Sequence, residues 1–409
     1  MSDLPRSFVT VGAGQAAVAA VRLLRRRGFD GRVTVLSDEN HAPYQRPPLS
    51  KEYLRGDTEP EDVTLLDEAW CTENAVELRL GVRAESVAEG RVRLTDGCEV
   101  ESDAVLLATG VRARRLPGVE GERVVHLRTL DDAARLRDML PAAERIAVVG
   151  GGLIGSEVAA SARALGIAVT TLEAGALPLI SQLGFEMAEF YAGLHREYGV
   201  DLRCGQEIGT VTETASGVLV QTADGDVEAD LVVVAVGAVP NDEIARASGL
   251  EVDPVRGGIV VDDSCRTALP GVFAAGDVAS RAVGDGFVRV EHVDNATTQG
   301  TAVAKALIGK PGGPAEDVPW YWSDQYEFGL QFLGRPRPDA EIVVRGSMAG
   351  RNFIAFYLSG GRVHASFAVD RGGDVPAAKQ LIALGLAVPA AALADEATDL
   401  FDLLDTVSA

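Results

Sequence analysis

IAVVGGGLIGSE, residues 146–157, decides the fold of this chain. The apolar residues Ile146, Ala147, Val148 and Val149 read as a buried strand that runs directly into Gly150, Gly151 and Gly152. Gly150, Gly152 and Gly155 stand at the spacing G-x-G-x-x-G. The first glycine permits a tight turn, the second lets the backbone approach a pyrophosphate, and the third lets the following helix pack closely on the strand. A helix that opens at such a turn presents its free amides to phosphate. Glu173 ends the next apolar strand, AVTTLEAG (168–175), where a carboxylate accepts bonds from ribose hydroxyls and repels a 2′-phosphate. The following EAGALPL holds no arginine to welcome that phosphate, so the expected coenzyme is NADH in preference to NADPH. A surface glutamate after a strand is the plainer alternative.

The same plan occurs earlier in the chain. FVTVGAGQAA (8–17) places Gly12, Gly14 and Ala17 at G-x-G-x-x-A, and RVTVLSDE (32–39) offers Asp38 or Glu39 as its ribose acid. Each unit closes on an apolar strand ending in glycine, AVLLATG (104–110) and LVVVAVG (231–237); Gly237 is counted with the coenzyme site. Two copies of one mononucleotide-binding plan imply two bound nucleotides and an α/β chain with two Rossmann-like domains.

Between these landmarks, Asp96-Gly97 and Asp224-Gly225 mark hairpins. In GVFAAGDVAS (271–280), Gly276-Asp277 follows an apolar strand and is expected to precede a helix. Asp277 there is either an ordinary N-cap or a carboxylate that holds a polyol such as a ribityl chain. NATTQGTAVAKALIG reads as a helix that runs to a break at GKPGGP (309–314), the expected linker. Beyond it, EIVVRG, FIAFYL and RVHASFAV form an antiparallel meander closed by a helix over 375–385, a C-terminal α+β domain.

A chain of 409 residues suggests two or three domains. Its net charge of −22 argues against a nucleic-acid partner. No run approaches the roughly 20 apolar residues of a membrane span, and MSDLPRSF lacks the pattern of a signal peptide, so the cytoplasm is expected. Cys71, Cys98, Cys204 and Cys265 form no close pair, and no histidine stands at metal-ligand spacing with them. HAPYQRPPLSK (41–51) sits where many two-nucleotide flavoproteins place a redox-active cysteine pair, yet holds no cysteine. Disulfide or peroxide reduction would need one there. Lys51 is by default a solvated lysine, but its place after Pro47-Pro48 points to a fixed position near a cofactor. Trp320, Tyr321 and Trp322 read as a packed strand, with an aromatic beside a flavin as the sharper alternative. The clusters Arg25-Arg26-Arg27 and Arg112/Arg114/Arg115 are solvated faces or a docking patch for an acidic partner.

PYQRPPLSK (43–51), VVGGGLIGSEVA (148–159), FAAGDVA (273–279), RVEHVDNATTQG (289–300) and WSDQY (322–326) together resemble the FAD-dependent ferredoxin reductases that serve bacterial cytochrome P450 and Rieske-type oxygenase systems. These belong to the glutathione-reductase-like flavoproteins, and the resemblance spans essentially the whole chain. It implies an FAD domain from 1–112 and 240–314, an NAD domain from 113–239 and a C-terminal domain over 315–409 that contributes to the flavin site and partner docking. It places Arg46, Pro47 and Lys51 along the flavin, Arg128 against FAD, Asp277 on the ribityl chain, and His292 and Val293 near the isoalloxazine. Trp322 approaches the flavin from the C-terminal domain, while Glu157 sits on the nicotinamide side, able to pair with Lys51.

The implied activity is hydride transfer from NADH to FAD, then delivery of single electrons to a 2Fe-2S ferredoxin. The cofactor carries that chemistry, and Lys51 would stabilise the anionic reduced flavin. Rubredoxin-reductase-like or monodehydroascorbate-reductase-like activity needs no cysteine either and stays open, as does a flavoprotein that senses NADH without turnover. Three departures from the family pattern stand out. Ala17 replaces a glycine, Val293 stands where many members have tryptophan, and LEAGALPLISQLG lacks the arginine that many carry after the ribose acid.

Overall fold

The computed structural model describes residues 4–284, 286–310 and 318–405. It divides into two compact units: Met1–Arg46, Glu59–Arg112 and Ala238–Asp317 form the first, and Pro47–Thr58, Ala113–Gly237 and Val318–Ala409 the second. In this division 47–58 and the C-terminal segment are grouped with 113–237. The expected linker begins at Gly309 and Lys310; its residues 311–314 lie outside the described residues.

The first unit is built on a five-stranded parallel sheet, in the order Val272–Ala274, Ala104–Leu107, Ser7–Val11, Arg32–Leu36 and Val76–Arg79. Strands buried on both faces read as unbroken apolar runs, as VFA, AVLL and FVTV do. The strand Ser7–Val11 pairs with a later strand on each side, so the strand order reverses there and a crevice opens at its carboxyl end. The helix Gln15–Arg26 follows, and Val293–Leu307 crosses it so closely that a Cβ on Gly300 would collide with the Ala16 carbonyl.

The sequence is misread at Gly276-Asp277. No helix follows; the chain turns at Gly276 (φ +83°), Ala279 N donates to Gly276 O at 2.9 Å, and a strand runs over Ala279–Val283. That strand pairs with Ile259–Val261 and Gly286–Val288, partners that local sequence does not reveal.

The second unit repeats the parallel sheet as Val200–Cys204, Ala168–Glu173, Arg145–Val149, Leu231–Val234 and Val124–His126. It also carries the five-stranded antiparallel sheet Trp320–Gln325, Phe328–Gly334, Arg362–Val369, Asn352–Ser359 and Glu341–Ser347. The helix Ile180–Glu197 explains why this sheet joins the unit. Its Leu183, Met187 and Tyr191 share one core with Phe328, Phe353 and Phe367. The opposite face of the sheet is closed by Ala377 and Leu381 of the helix Val375–Leu384. Among the described residues no helix is long and apolar enough to cross a membrane.

Candidate functional site

The two glycine turns are the same object built twice. Gly12 and Gly150 both have φ +104°, a value that L side chains rarely adopt, and a Cβ on either would collide with a carbonyl, that of Ala108 or Ala235. Gly12 N donates to Leu36 O, and Gly150 N to Leu172 O, both at 2.8 Å. Gly14 and Gly152 then cap the helices Gln15–Arg26 and Leu153–Ala164 with no side-chain bond to their amides, and a Cβ on either would meet nothing within 4 Å. Open space before uncapped helix amides suits the phosphates of a dinucleotide, so the turns fit the two nucleotides expected. Gly155 is obligatory because a Cβ there would strike Gly150 O; Ala17 fits at the matching place and is 1% exposed. Gly237, the last residue of the second unit's middle segment, holds φ +98° and accepts from Arg114 N at 2.9 Å.

Glu173 is fixed by this turn. Its Oε2 accepts from Gly151 N at 2.7 Å and its Oε1 from Gly175 N at 2.6 Å, which leaves lone pairs for ribose hydroxyls. The first turn differs. Leu36 occupies the place of Leu172, so Ser37, and neither Asp38 nor Glu39, falls at the position of Glu173. Asp38 is exposed. Glu39 instead takes Arg46 Nη2 on Oε1 at 2.6 Å and the Tyr44 hydroxyl on Oε2. Arg46 also donates to the Tyr44 hydroxyl at 3.1 Å and lies over its ring at 5.1 Å. Burial works against the guanidinium charge, but Tyr44, Glu39 and Asp277 outweigh it and raise its pKa. Arg46, Glu39 and Asp277 are therefore one electrostatic group. His292 caps the helix Val293–Leu307 by accepting from Asp294 N on Nδ1 at 3.3 Å, with Val293 as the first helical residue.

The remaining residues assigned to the flavin, Pro47, Lys51, Arg128 and Trp322, belong to the second unit. Trp322 lies in the strand Trp320–Gln325, its ring centre 5.4 Å from that of Trp320. The backbone amides of Arg128 and Thr129 both donate to Asp132 Oδ2, a capping box for the helix Leu130–Met139. Prolines pre-set the tight turn Pro47–Ser50, and Lys51 N closes it on Pro48 O at 3.0 Å. Lys51 is not solvated: it is 4% exposed, and its Nζ lies 3.2 Å from Glu157 Oε2. Glu157 also accepts from Ser50 Oγ on Oε2 and from Ser323 Oγ on Oε1 at 2.6 Å. Burial pushes the Glu157 carboxyl upward, against the opposing pull of Lys51, Ser323 and Ser50. Ser161 Oγ fixes the loop by donating to Ser50 O at 2.8 Å.

Ser50 and Ser323 escaped the sequence reading. Both sit inside motifs noted for their neighbours, and nothing local links a serine at 50 or 323 to a glutamate at 157. All four cysteines are free. Among the described residues no cluster of three or more histidine, cysteine or acidic side chains could hold a metal ion.

Comparison with known proteins agrees with this construction. Residues 6–300 match the family model described as pyridine nucleotide-disulphide oxidoreductase, and residues 320–404 match one described as reductase C-terminal. The ferredoxin–NAD(+) reductase component of the anthranilate 1,2-dioxygenase system of Burkholderia cepacia is 40% identical, over 95% of this chain and 97% of its own. Putidaredoxin reductase of Pseudomonas putida is 38% identical, over 98% of each. A crystal structure of the covalent putidaredoxin reductase–putidaredoxin complex matches with a TM-score of 0.93 and 36% identity, covering 100% of both chains.

Proposed function

Because the chain belongs to the pyridine nucleotide-disulphide oxidoreductase family, we infer that it is an NADH-dependent ferredoxin reductase. It carries electrons from NADH to a 2Fe-2S ferredoxin that serves a cytochrome P450 or Rieske oxygenase. The observation that carries this reading is likeness over the full length of ferredoxin reductases, including the segment beyond residue 320. The lack of cysteine in HAPYQRPPLSK supports it, because electrons then leave for an outside acceptor and not through a disulfide.

FAD, when bound, supplies the conversion of one two-electron donor into single-electron deliveries. Gly12, Gly14 and Ala17 shape the turn that would take its pyrophosphate, and Asp277 is assigned to its ribityl chain. Glu39 and Tyr44 hold Arg46 in one orientation for the same cofactor. Pro47, Arg128, His292, Val293 and Trp322 keep their assignment to the flavin as part of this reading. Gly150, Gly152, Gly155 and Gly237 form the coenzyme turn, and Glu173 binds the ribose and disfavours a 2′-phosphate. Lys51, tethered by Glu157, would hold a positive charge toward the bound flavin. The cytoplasm is the compartment this role implies.

The decisive experiment is reduction of cytochrome c by the purified protein with NADH, with and without a panel of 2Fe-2S ferredoxins. A ferredoxin that accelerates it is the expected result. No acceleration by any of them, with rapid flavin bleaching by NADH, would instead favour a different acceptor.

A further inference from the structure

The helix Ile180–Glu197 and the strand Trp320–Gln325 bury polar groups that electron transfer as described leaves unused. Gln325 and His195 are 1% and 3% exposed, and Tyr191 is fully buried. Gln325 Nε2 donates to Ser323 Oγ and to the Tyr191 hydroxyl, both at 2.8 Å. That orientation turns Gln325 Oε1 toward His195 Nε2 at 3.0 Å, so Nε2 carries the ring proton. His195 Nδ1 is then an acceptor, and the Tyr326 hydroxyl donates to it at 2.9 Å. At the other end, Ser323 accepts from Gln325 and passes its own proton toward Glu157 Oε1. Apart from the side branch from Gln325 to Tyr191, the donors run in one direction, from Tyr326 to Glu157.

We propose that Tyr326, His195, Gln325 and Ser323 are positioning residues, a one-way series of hydrogen-bond donors that ends on Glu157 and keeps its carboxylate turned to Lys51. The proposal deepens the assignment of Lys51 and Glu157 to electron transfer and rests on it. A buried carboxylate needs donors on both oxygens. Lys51 and Ser50 serve Oε2, and Ser323 serves Oε1. An unanchored Gln325 amide could flip and draw the Ser323 proton onto its own oxygen; His195 prevents this by occupying that oxygen.

The charged and titratable surroundings leave the series intact at neutral pH. Lys51 faces Glu157 from the proline turn, and Tyr191 from the helix Ile180–Glu197, its hydroxyl kept neutral by burial. Asp324, beside Ser323 in the strand, feels Lys51, Glu52, Arg55 and Asp370, and Tyr326 feels Tyr191, Arg163 and Tyr198. Burial takes His195 down to about 4, so its ring stays uncharged and keeps one tautomer.

The test is infrared titration of the oxidised holoenzyme, with the Glu157 band identified by subtracting the E157Q spectrum. Ser323→Ala removes a bond to a charged acceptor and should raise the protonated fraction relative to the ionised one about tenfold at a given pH. Ser323→Thr, which keeps the hydroxyl, should restore the wild-type titration. His195→Phe and Tyr326→Phe should shift it in the same direction as Ser323→Ala, by less. Tyr326→Phe, which loses only a hydroxyl on a partly exposed ring, carries the test if His195→Phe does not fold. An unmoved titration in Ser323→Ala, or in Tyr326→Phe when Ser323→Ala does shift, overturns the proposal. Because neither NADH nor ferredoxin is added, failure here and failure of the reductase reading are separate outcomes.

Discussion

Lys51 Nζ lies 3.2 Å from Glu157 Oε2, and neither side chain is more than 7% exposed. The pair joins a proline-stiffened turn to the first turns of the helix behind the second glycine turn. Breaking such a buried pair on one side leaves a charge without compensation, whereas replacing both sides does not.

Lys51→Met should therefore destabilise the protein by about 3–5 kcal/mol, and the double variant with Glu157→Gln should recover much of that loss. Chemical denaturation of the four proteins in the cycle measures it. Flavin bleaching by NADH in a stopped-flow instrument should slow in Lys51→Met and stay slow in the double variant. Recovery of stability without recovery of rate separates the reactive role of the ammonium from its structural one.

Glu173, proposed to bind the coenzyme ribose, holds the backbone of the second glycine turn through Gly151 N and Gly175 N. Glu173→Ala should raise the KM for NADH about tenfold, the loss of one hydrogen bond to a charged acceptor. The ratio of kcat/KM for NADH over NADPH should fall with it, since the repulsion of a 2′-phosphate goes too. A tenfold loss shared equally by both coenzymes would mean that Glu173 only braces the turn.

Gly155 and Ala17 hold equivalent places but should differ in what their exchange costs the bound nucleotide. A Cβ on Gly155 collides with Gly150 O and approaches Ala235 Cβ to 3.3 Å, so Gly155→Ala should cost about 1–3 kcal/mol and weaken NADH binding. Ala17→Gly relieves no clash and should only destabilise the helix, by about 1 kcal/mol, with FAD retained. Thermal denaturation and flavin content after gel filtration check the pair.

These contrasts show which features were legible in the sequence. The glycine turns were, because their constraints lie within one motif: a Cβ on Gly155 would strike a residue five positions away, and Glu173 bonds one 22 positions away. The meander was legible from its alternating apolar strands and the turn at Gly360-Gly361. The Lys51–Glu157 pair could be expected only through family resemblance, since the two lie in separate motifs. Ser323, Gln325 and His195 carried no signal at all, because a buried hydrogen-bond series is a property of packing between distant elements. At Gly276-Asp277 the local pattern suited a helix cap, and a long-range strand pairing prevailed. For Asp38 and Glu39 residue counting gave no register, and it is the backbone bond from Gly12 to Leu36 that puts Ser37 at the place Glu173 holds in the second turn.

His195 gives the protein an acid-sensitive core. Its pKa falls from 6.5 to about 4 because burial penalises the imidazolium, and the bond to Gln325 offsets this only in part. Between those values the unfolded chain binds one more proton than the folded one, so stability rises with pH across that window. The contribution is complete above pH 6.5 and is lost as pH falls through about 4. The fall from 6.5 to about 4 corresponds to about 3 kcal/mol. His195→Phe cannot titrate and should show a shallower stability profile between pH 6.5 and 4, with curves for the two proteins converging toward the acid end. Denaturant midpoints measured at half-unit steps read this directly. Parallel profiles would mean that the imidazole finds a compensating partner when charged, and that the tautomer set by Gln325 and Tyr326 is not held as the neutral ring requires.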